Sequence, residues 1–171
     1  AGWRRVERFR RTVAQLERHG CAIREQATTG PGDAEAIAAS AGEVDVVVVA
    51  GGDGTVNEAL NGLMQRPGGA LPLAVIPLGT ANVLAGELGL PIDPEGAARA
   101  IAHGRIVTAH LGQASFDGRT RRFALMAGAG FDAQAVARVR TRVKRKLGKG
   151  AYVLAGLEAA AGYRFPELAV T

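Results

Sequence analysis

The chain has 171 residues, a net charge of +5 and apolar side chains at 47% of its positions, so it can bury a core and is neither disordered nor fibrous in composition. Its length suits one full domain and part of a second. Cys21 is the only cysteine, which excludes an internal disulfide and a metal cluster built on thiolates. Neither a signal peptide nor a membrane-spanning run of about 20 apolar residues is apparent. We therefore expect a cytoplasmic protein.

Helical and extended patterns alternate from the start of the chain. Apolar side chains recur at helical spacing over residues 3–19, and Gly20 follows them. Residues 22–26 are expected to form a short strand. Asp33 can cap a second helix that runs through Ser40.

The most apolar run consists of four consecutive valines, residues 46–49. Such a run predicts a strand buried on both faces, as in the middle of a parallel sheet. A glycine loop follows, and then a helix over residues 55–65. Residues 73–76 have the pattern of another buried strand, and residues 81–88 that of another helix. This alternation predicts a doubly wound α/β layer.

The α/β pattern closes with a helix that Asp93-Pro94 opens and Gly104 follows. From residue 105 onward the pattern changes to strands, over residues 105–116 and 121–126, with Asp117-Gly118 as a hairpin turn. The last predicted elements are helices over residues 133–146 and 152–162 and a strand over residues 168–171. We therefore expect an α/β domain over residues 1–104 and the beginning of a truncated β-rich domain over residues 105–171.

A glycine-rich loop, Gly51-Gly52-Asp53-Gly54-Thr55, lies between the valine strand and the next helix. In an open parallel sheet, ligands bind beyond the carboxyl ends of the strands. Glycines there let the backbone approach a phosphate, and the helix start offers free N–H groups. Thr55 and Glu58 fit a capping box, which predicts that the helix begins just after the glycines. Asp53 could position Mg²⁺ or a hydroxyl group of the ligand. Alternatively, it only helps to form the local turn.

A second loop, residues 77–82 (Pro-Leu-Gly-Thr-Ala-Asn), follows the next buried strand. Neighbouring parallel strands would bring both loops to the same edge of the sheet. Thr80 can donate to a phosphate or to the adenine side of a nucleotide, or it can simply cap the next helix. The first loop is not followed by the Gly-Lys-Ser/Thr of a P-loop, so backbone amides would have to hold the phosphate.

Together, residues 51–58 and 77–82 resemble the catalytic domain of diacylglycerol and sphingosine kinases. Three further stretches agree with that family: Thr28 to Ala34 with its Thr-x-x-x-Gly-Asp-Ala motif, residues 128–133 with its Gly-x-Gly-Phe-Asp-Ala, and residues 144–152 with its Lys-rich run ending in Ala-Tyr. The resemblance implies a fold of the NAD kinase/diacylglycerol kinase type and transfer of the γ-phosphate of ATP, with Mg²⁺, to a lipid hydroxyl. It places nucleotide contacts at Thr28, Gly51, Gly52, Asp53, Gly54, Thr55, Val56, Asn57, Gly79 and Thr80.

The chain departs from that family pattern in three ways. Ala1-Gly2 can be the tail of the Asn-Pro-x-Ser/Ala-Gly motif that ends the family's first strand, so we expect that strand to be missing. Val83 stands where many members have Asp. The family's acidic general base and Asp-Gly-Glu metal loop are expected beyond Thr171, so no catalytic base or metal ligand set is assigned. Without them, this chain alone is expected to be inactive.

The basic charge is concentrated late in the chain. Residues 133–157 contain seven Lys or Arg and no acidic residue, which indicates either an anionic partner or a solvated helix face. A lipid membrane that the enzyme visits transiently is the partner we expect. A specific nucleic acid is disfavoured, because no aromatic side chain lies between the basic residues of 138–149 to stack on bases.

Two alternative functions share parts of the pattern. NAD kinase has the same Gly-Gly-Asp-Gly loop, and a non-catalytic nucleotide- or nucleic-acid-binding module is the alternative from another class. Residues 128–133 also match the dinucleotide pattern G-x-G-x-x-A, but the first acidic residue after Asp132 is Glu158, in a helical segment. The second loop, residues 78–82, and the Gly-Phe-Asp-Ala stretch of residues 130–133 favour the lipid kinase.

Overall fold

The computed structural model describes residues 2–128 and residue 133. The elements in this part are α1 (Gly2–Arg18), α2 (Asp33–Ala39), β1 (Val47–Gly51), α3 (Asp53–Leu63), β2 (Leu73–Pro77), α4 (Val83–Glu87), α5 (Pro94–His103), β3 (Gly112–Phe116) and β4 (Arg119–Phe123). The chain divides into two compact units, Ala1–Leu125 and Met126–Thr171. The helices predicted over residues 133–146 and 152–162, and the strand over 168–171, lie outside the described residues, apart from the helical Ala133.

β1 and β2 pair in parallel, with Val47 opposite Leu73 and Gly51 opposite Pro77. The predicted pairing of neighbouring parallel strands is therefore confirmed. In residues 2–128 this sheet has two strands. Val49 is buried, but Val48 is only half-buried. Val48 and the exposed Ala50 point to the opposite face from Val49, so within the described residues this face is only partly covered and the prediction of a valine strand buried on both faces is wrong.

The core lies where α2 and α3 pack on this sheet. Its buried side chains are Ala34, Ala38, Val49, Val56, Ala59, Leu63 and Val75. The two helices approach closely at Gly62, where a Cβ atom would lie 2.1 Å from the Glu35 carbonyl oxygen. Small side chains on both helices make this close packing possible, and it restricts the position of α3 relative to α2.

α1 packs along α5, and the two helices end side by side. Leu16 and Thr12 are the buried side chains of α1, and the Thr12 hydroxyl donates to the Arg8 carbonyl at 2.9 Å. At the far end, His19 Nδ1 and His103 Nε2 are 3.0 Å apart. No helix in the described ranges is long and apolar enough to cross a lipid bilayer.

The segment between α1 and α2 differs from its prediction. Residues 22–26 are exposed and form no strand, because no strand edge in the described part of the chain pairs with them. Asp33 is the first residue of α2 and does not cap it from the preceding position. Instead its carboxylate accepts from Thr29 N at 2.7 Å, from the Thr29 hydroxyl at 2.8 Å and from Gly30 N at 3.0 Å. These bonds lower the pKa of Asp33 and fasten the loop before α2.

The predicted signals after β2 are largely confirmed. The Asp93 carboxylate accepts from Gly96 N at 2.7 Å and caps α5, with Pro94 in the first helical position. Asp117 and Gly118 have φ values of 47° and 70°, as the tight turn of a two-residue hairpin requires. β3 and β4 are shorter than the strands predicted here. Extended backbone forms β-sheet hydrogen bonds only where the two strands lie opposite each other.

Candidate functional site

The two predicted loops meet at the carboxyl edge of the parallel sheet. Gly51 and Pro77 are register partners at the ends of β1 and β2, so the chain leaves both strands at the same level. Leu78 N and Gly79 N both donate to the Gly51 carbonyl, at 2.9 Å and 3.2 Å. The second loop is thereby bonded to the base of the first.

The loops touch backbone to backbone at two glycines. A Cβ atom on Gly79 would lie 2.5 Å from Gly52 Cα and 2.6 Å from Asn82 Oδ1. A Cβ atom on Gly52 would lie 3.1 Å from Gly79 Cα. Any larger residue at position 79 must therefore push the two loops apart.

The start of α3 differs from the predicted capping box. The N-cap position is Gly52, in extended conformation, and no side chain in the described part of the chain bonds to this helix end. Thr55 lies within the first turn and packs on Gly51, where a Cβ atom would come within 2.9 Å of Thr55 Cβ. The helix starts two residues earlier than predicted because glycine lets the chain turn directly from β1 into α3. The first amides of α3 are thus left without a side-chain cap at the loop edge.

Asp53 and Asn82 hold α4 against the two loops. Asp53 Oδ1 accepts from Leu84 N at 3.2 Å, in the first turn of α4. Asn82 has left-handed backbone angles, which asparagine tolerates better than most residues. Its side chain accepts from Gly79 N at 2.8 Å and donates to Gly79 O at 3.0 Å. The role of Asn82 was missed in the sequence, although it ends the second motif.

The remaining predicted contact residues differ in how accessible they are. The exposed residues among them are Thr28, Gly54, Asn57 and Thr80. Val56 is 3% exposed and belongs to the core, and its N–H donates to the Gly52 carbonyl at 3.1 Å. Its side chain is therefore unavailable to a ligand. Thr28 lies in the loop before α2, and no hydrogen bond in the described residues joins it to either glycine loop.

The opposite half of α3 carries a second polar cluster. Asn61 is 2% exposed, yet its side chain donates to the carbonyls of Asn57, at 2.8 Å, and Arg122, at 2.9 Å. Its Oδ1 accepts from Arg122 N at 2.9 Å. The amide group thus pairs with both backbone groups of one β4 residue and docks the hairpin on α3. An open groove of about 580 Å³ lies beside it, lined by Glu35, Asn61, Gln65, Gln113, Arg119, Thr120, Arg121 and Arg122.

Glu35 is expected to make stability pH-dependent. Its carboxylate accepts from Arg121 and from Gln65, and the bond to Arg121 is the main reason why its pKa lies below the usual 4.5. A lowered pKa in the folded state means that the stabilisation is complete above the unfolded value and is lost as pH falls through the folded value.

The measurement is the free energy of unfolding of the wild type and Glu35→Gln at pH 7 and at pH 3. The wild type should be more stable at pH 7 by less than about 1 kcal/mol, because Arg121 is 49% exposed. The difference should shrink at pH 3. An equal difference at both pH values would mean that the carboxylate charge is irrelevant.

Comparisons with known proteins show the family of the chain. Residues 1–114, which include both glycine loops, match the diacylglycerol kinase catalytic domain. The chain is 36% identical over 168 residues to a protein named "Probable lipid kinase YegS-like" of Chromohalobacter salexigens, covering 92% of this chain and 53% of that protein. It is 35% identical over 174 residues to a diacylglycerol kinase of Bacillus subtilis, covering 96% of this chain and 55% of that protein.

A diacylglycerol kinase of Staphylococcus haemolyticus is 34% identical over 158 residues, covering 89% of this chain and 46% of that protein. The chain thus spans about half the length of these relatives. The family match extends over more than half of the 171 residues. The chain therefore belongs to the diacylglycerol kinase catalytic domain family.

Proposed function

We propose that this chain is the nucleotide-binding part of an ATP-dependent lipid kinase, which transfers the γ-phosphate of ATP to the hydroxyl of a diacylglycerol or sphingosine-like lipid. The observation that carries the proposal is the junction of the two loops. Gly52 and Gly79 are in backbone contact there, beside the start of α3, which no side chain in the described residues caps. The names of the relatives support a lipid as the phosphate acceptor.

The nucleotide phosphates would lie on backbone groups. The glycines of the two loops carry no Cβ atom beside their backbone (Gly51, Gly52, Gly54 and Gly79), and α3 adds the positive end of its dipole. Thr80 and Thr28 have exposed hydroxyls that can donate to the nucleotide. Thr55 would support the first loop by packing on Gly51. Without a P-loop lysine, charge neutralisation would depend on the helix end and on a cation.

The side chains at the loops fit Mg²⁺ bound together with ATP. No group of three or more His, Cys, Asp or Glu side chains in residues 2–128 is placed to hold a metal ion. Mg²⁺ is commonly held by one or two carboxylates, water and the phosphates themselves. Asp53 supplies one carboxylate at the loop edge, and its Oδ1 already accepts from Leu84 N. When bound, the ion would neutralise phosphate charge.

Transfer itself needs groups that this chain is not expected to contain. Phosphoryl transfer depends on positioning and on charge stabilisation, and a base must orient the acceptor hydroxyl. The resemblance places that base and a metal loop beyond Thr171. We therefore propose that the 171-residue chain binds ATP but does not phosphorylate lipid alone. The full-length protein would complete the doubly wound domain and the β-rich domain, and would work in the cytoplasm with transient contact to the membrane surface.

Gly79→Ala tests the proposed site. The Cβ atom at this position should separate the loops and raise the Kd for Mg²⁺-ATP by about tenfold or more, equivalent to about 1.4 kcal/mol. Gly42→Ala is the matched control, because nothing lies within 4 Å of a Cβ atom there. Both variants and the wild type are titrated with ATP in a calorimeter. Equal ATP affinity in all three proteins would place the nucleotide elsewhere.

The acceptor is tested separately in the full-length protein. Labelled ATP is supplied with diacylglycerol, with sphingosine in micelles, or with NAD. Transfer to a lipid supports the proposal, whereas transfer to NAD alone would replace it by NAD kinase activity. ATP binding with no transfer to any of these acceptors would favour a non-catalytic binding module.

A further inference from the structure

One arginine of α1 reaches the second loop. The Arg8 guanidinium donates to the Pro77 carbonyl oxygen at 3.1 Å, across 69 positions of sequence. α1 carries six arginines, Arg4, Arg5, Arg8, Arg10, Arg11 and Arg18. Arg8 is half-buried and the other five are exposed. The environment of Arg8 is therefore different from that of a solvated helix face.

The bond is made at the residue where β2 becomes the second loop. Pro77 is fully buried and is the register partner of Gly51. The next two amides, Leu78 N and Gly79 N, converge on the Gly51 carbonyl. Pro77 has no N–H to donate. Its carbonyl group accepts from Arg8, and this hydrogen bond ties Pro77 to α1. The Thr12 hydroxyl bonds to the Arg8 backbone one turn further along the helix.

We propose that Arg8 is a positioning residue for the site: it holds Pro77 and thereby keeps Gly79 in contact with Gly52. A guanidinium suits this role because it is always charged, and its hydrogen bond to a carbonyl is stronger than that of a neutral donor. Its charge also lies near an edge that would receive phosphate. The identification of the ligand as a nucleotide rests on the proposed function. The hydrogen bond by which Arg8 positions the loop does not.

Amide exchange in the free protein tests the hold on the loop. Arg8→Gln should speed hydrogen exchange at Leu78 and Gly79 by about tenfold, the loss expected for one charge-assisted hydrogen bond. Exchange at Val49 and Val75, in the strands, should not change. Arg8→Lys, which keeps a charged donor, should restore part of the protection. Arg10→Gln is the matched control, an exposed arginine of the same helix.

Each outcome of the exchange experiment decides the proposal. Unchanged exchange at Leu78 and Gly79 in Arg8→Gln would overturn it. Equally faster exchange at Val49 and Val75 would also overturn it, because Arg8 would then support the whole fold and not the loop in particular. The same change in Arg10→Gln would assign the effect to the net charge of α1.

ATP titration of the same proteins separates this proposal from the proposed function. Arg8→Gln should bind Mg²⁺-ATP several-fold more weakly than the wild type, and Arg8→Lys should lie between the two. A wild type that does not bind ATP would refute the proposed function and leave the exchange result standing. Normal ATP affinity in Arg8→Gln, together with faster loop exchange, would refute the role of Arg8 in positioning the site.

Discussion

Asp53→Asn in the full-length protein should lower phosphoryl transfer by about a thousandfold, the loss typical of one charge-stabilising group. The asparagine Oδ1 can still accept from Leu84 N, so α4 should keep its place. The substitution removes the negative charge that would help to hold Mg²⁺. The measurement is kcat with labelled ATP and lipid micelles, with the melting temperature recorded in parallel.

Asp53→Ala is the companion variant, because it removes both the charge and the acceptor of Leu84 N. It should lose transfer to the same degree and also melt at a lower temperature. Asp53→Asn with wild-type turnover would show that the carboxylate serves only to cap α4. The pair of variants thus separates a chemical role of Asp53 from a structural one.

Asn61→Leu should reduce the free energy of unfolding by about 2–4 kcal/mol, because it leaves Arg122 N–H and C=O without partners against an apolar side chain. Leucine has the same branching and the same number of side-chain heavy atoms as asparagine, so the substitution leaves no cavity. A two-stranded hairpin is marginal by itself. We therefore also expect faster amide exchange throughout β3 and β4 in this variant.

Asn57→Leu is the matched control, since it makes the same substitution one turn earlier in α3 at an exposed position. Its stability should stay within about 0.5 kcal/mol of the wild type. If Asn61→Leu were as stable as this control, the hairpin would not depend on the buried amide. Asn61→Asp should be at least as damaging as Asn61→Leu, because it loses the donor to Arg122 O and buries a charge.

The local signals in the sequence predicted the parts of the fold that depend on near neighbours. Apolar runs followed by glycines located β1, β2 and both loops. Asp93-Pro94 and Asp117-Gly118 predicted a helix start and a turn, because proline, glycine and aspartate restrict the backbone where they stand. The meeting of the two loops at one sheet edge followed from the parallel pairing of adjacent strands.

Most of the parts that were missed depend on contacts between distant segments. Arg8 with Pro77 and Asn61 with Arg122 are separated by 69 and 61 positions, and neither pair has a signature in the sequence. The capping box failed at Thr55 because two consecutive glycines let the helix begin earlier than a threonine cap would require. Residues 22–26 have a strand-like composition, but a strand also needs a partner, which composition does not reveal.

The docking of the β3–β4 hairpin on α3 has a geometric consequence for the glycine loop. Asn61 and Asp53 are eight residues apart on one helix. The rigid helix therefore separates them by about 12 Å along its axis. A tilt of only about 5° about the Asn61 end displaces the Asp53 end by about 1 Å. Misplacement of reacting groups by that distance can cost about a hundredfold in rate. Substitutions in β4 that tilt α3 should therefore change the position of Asp53, although β4 contacts the opposite half of this helix.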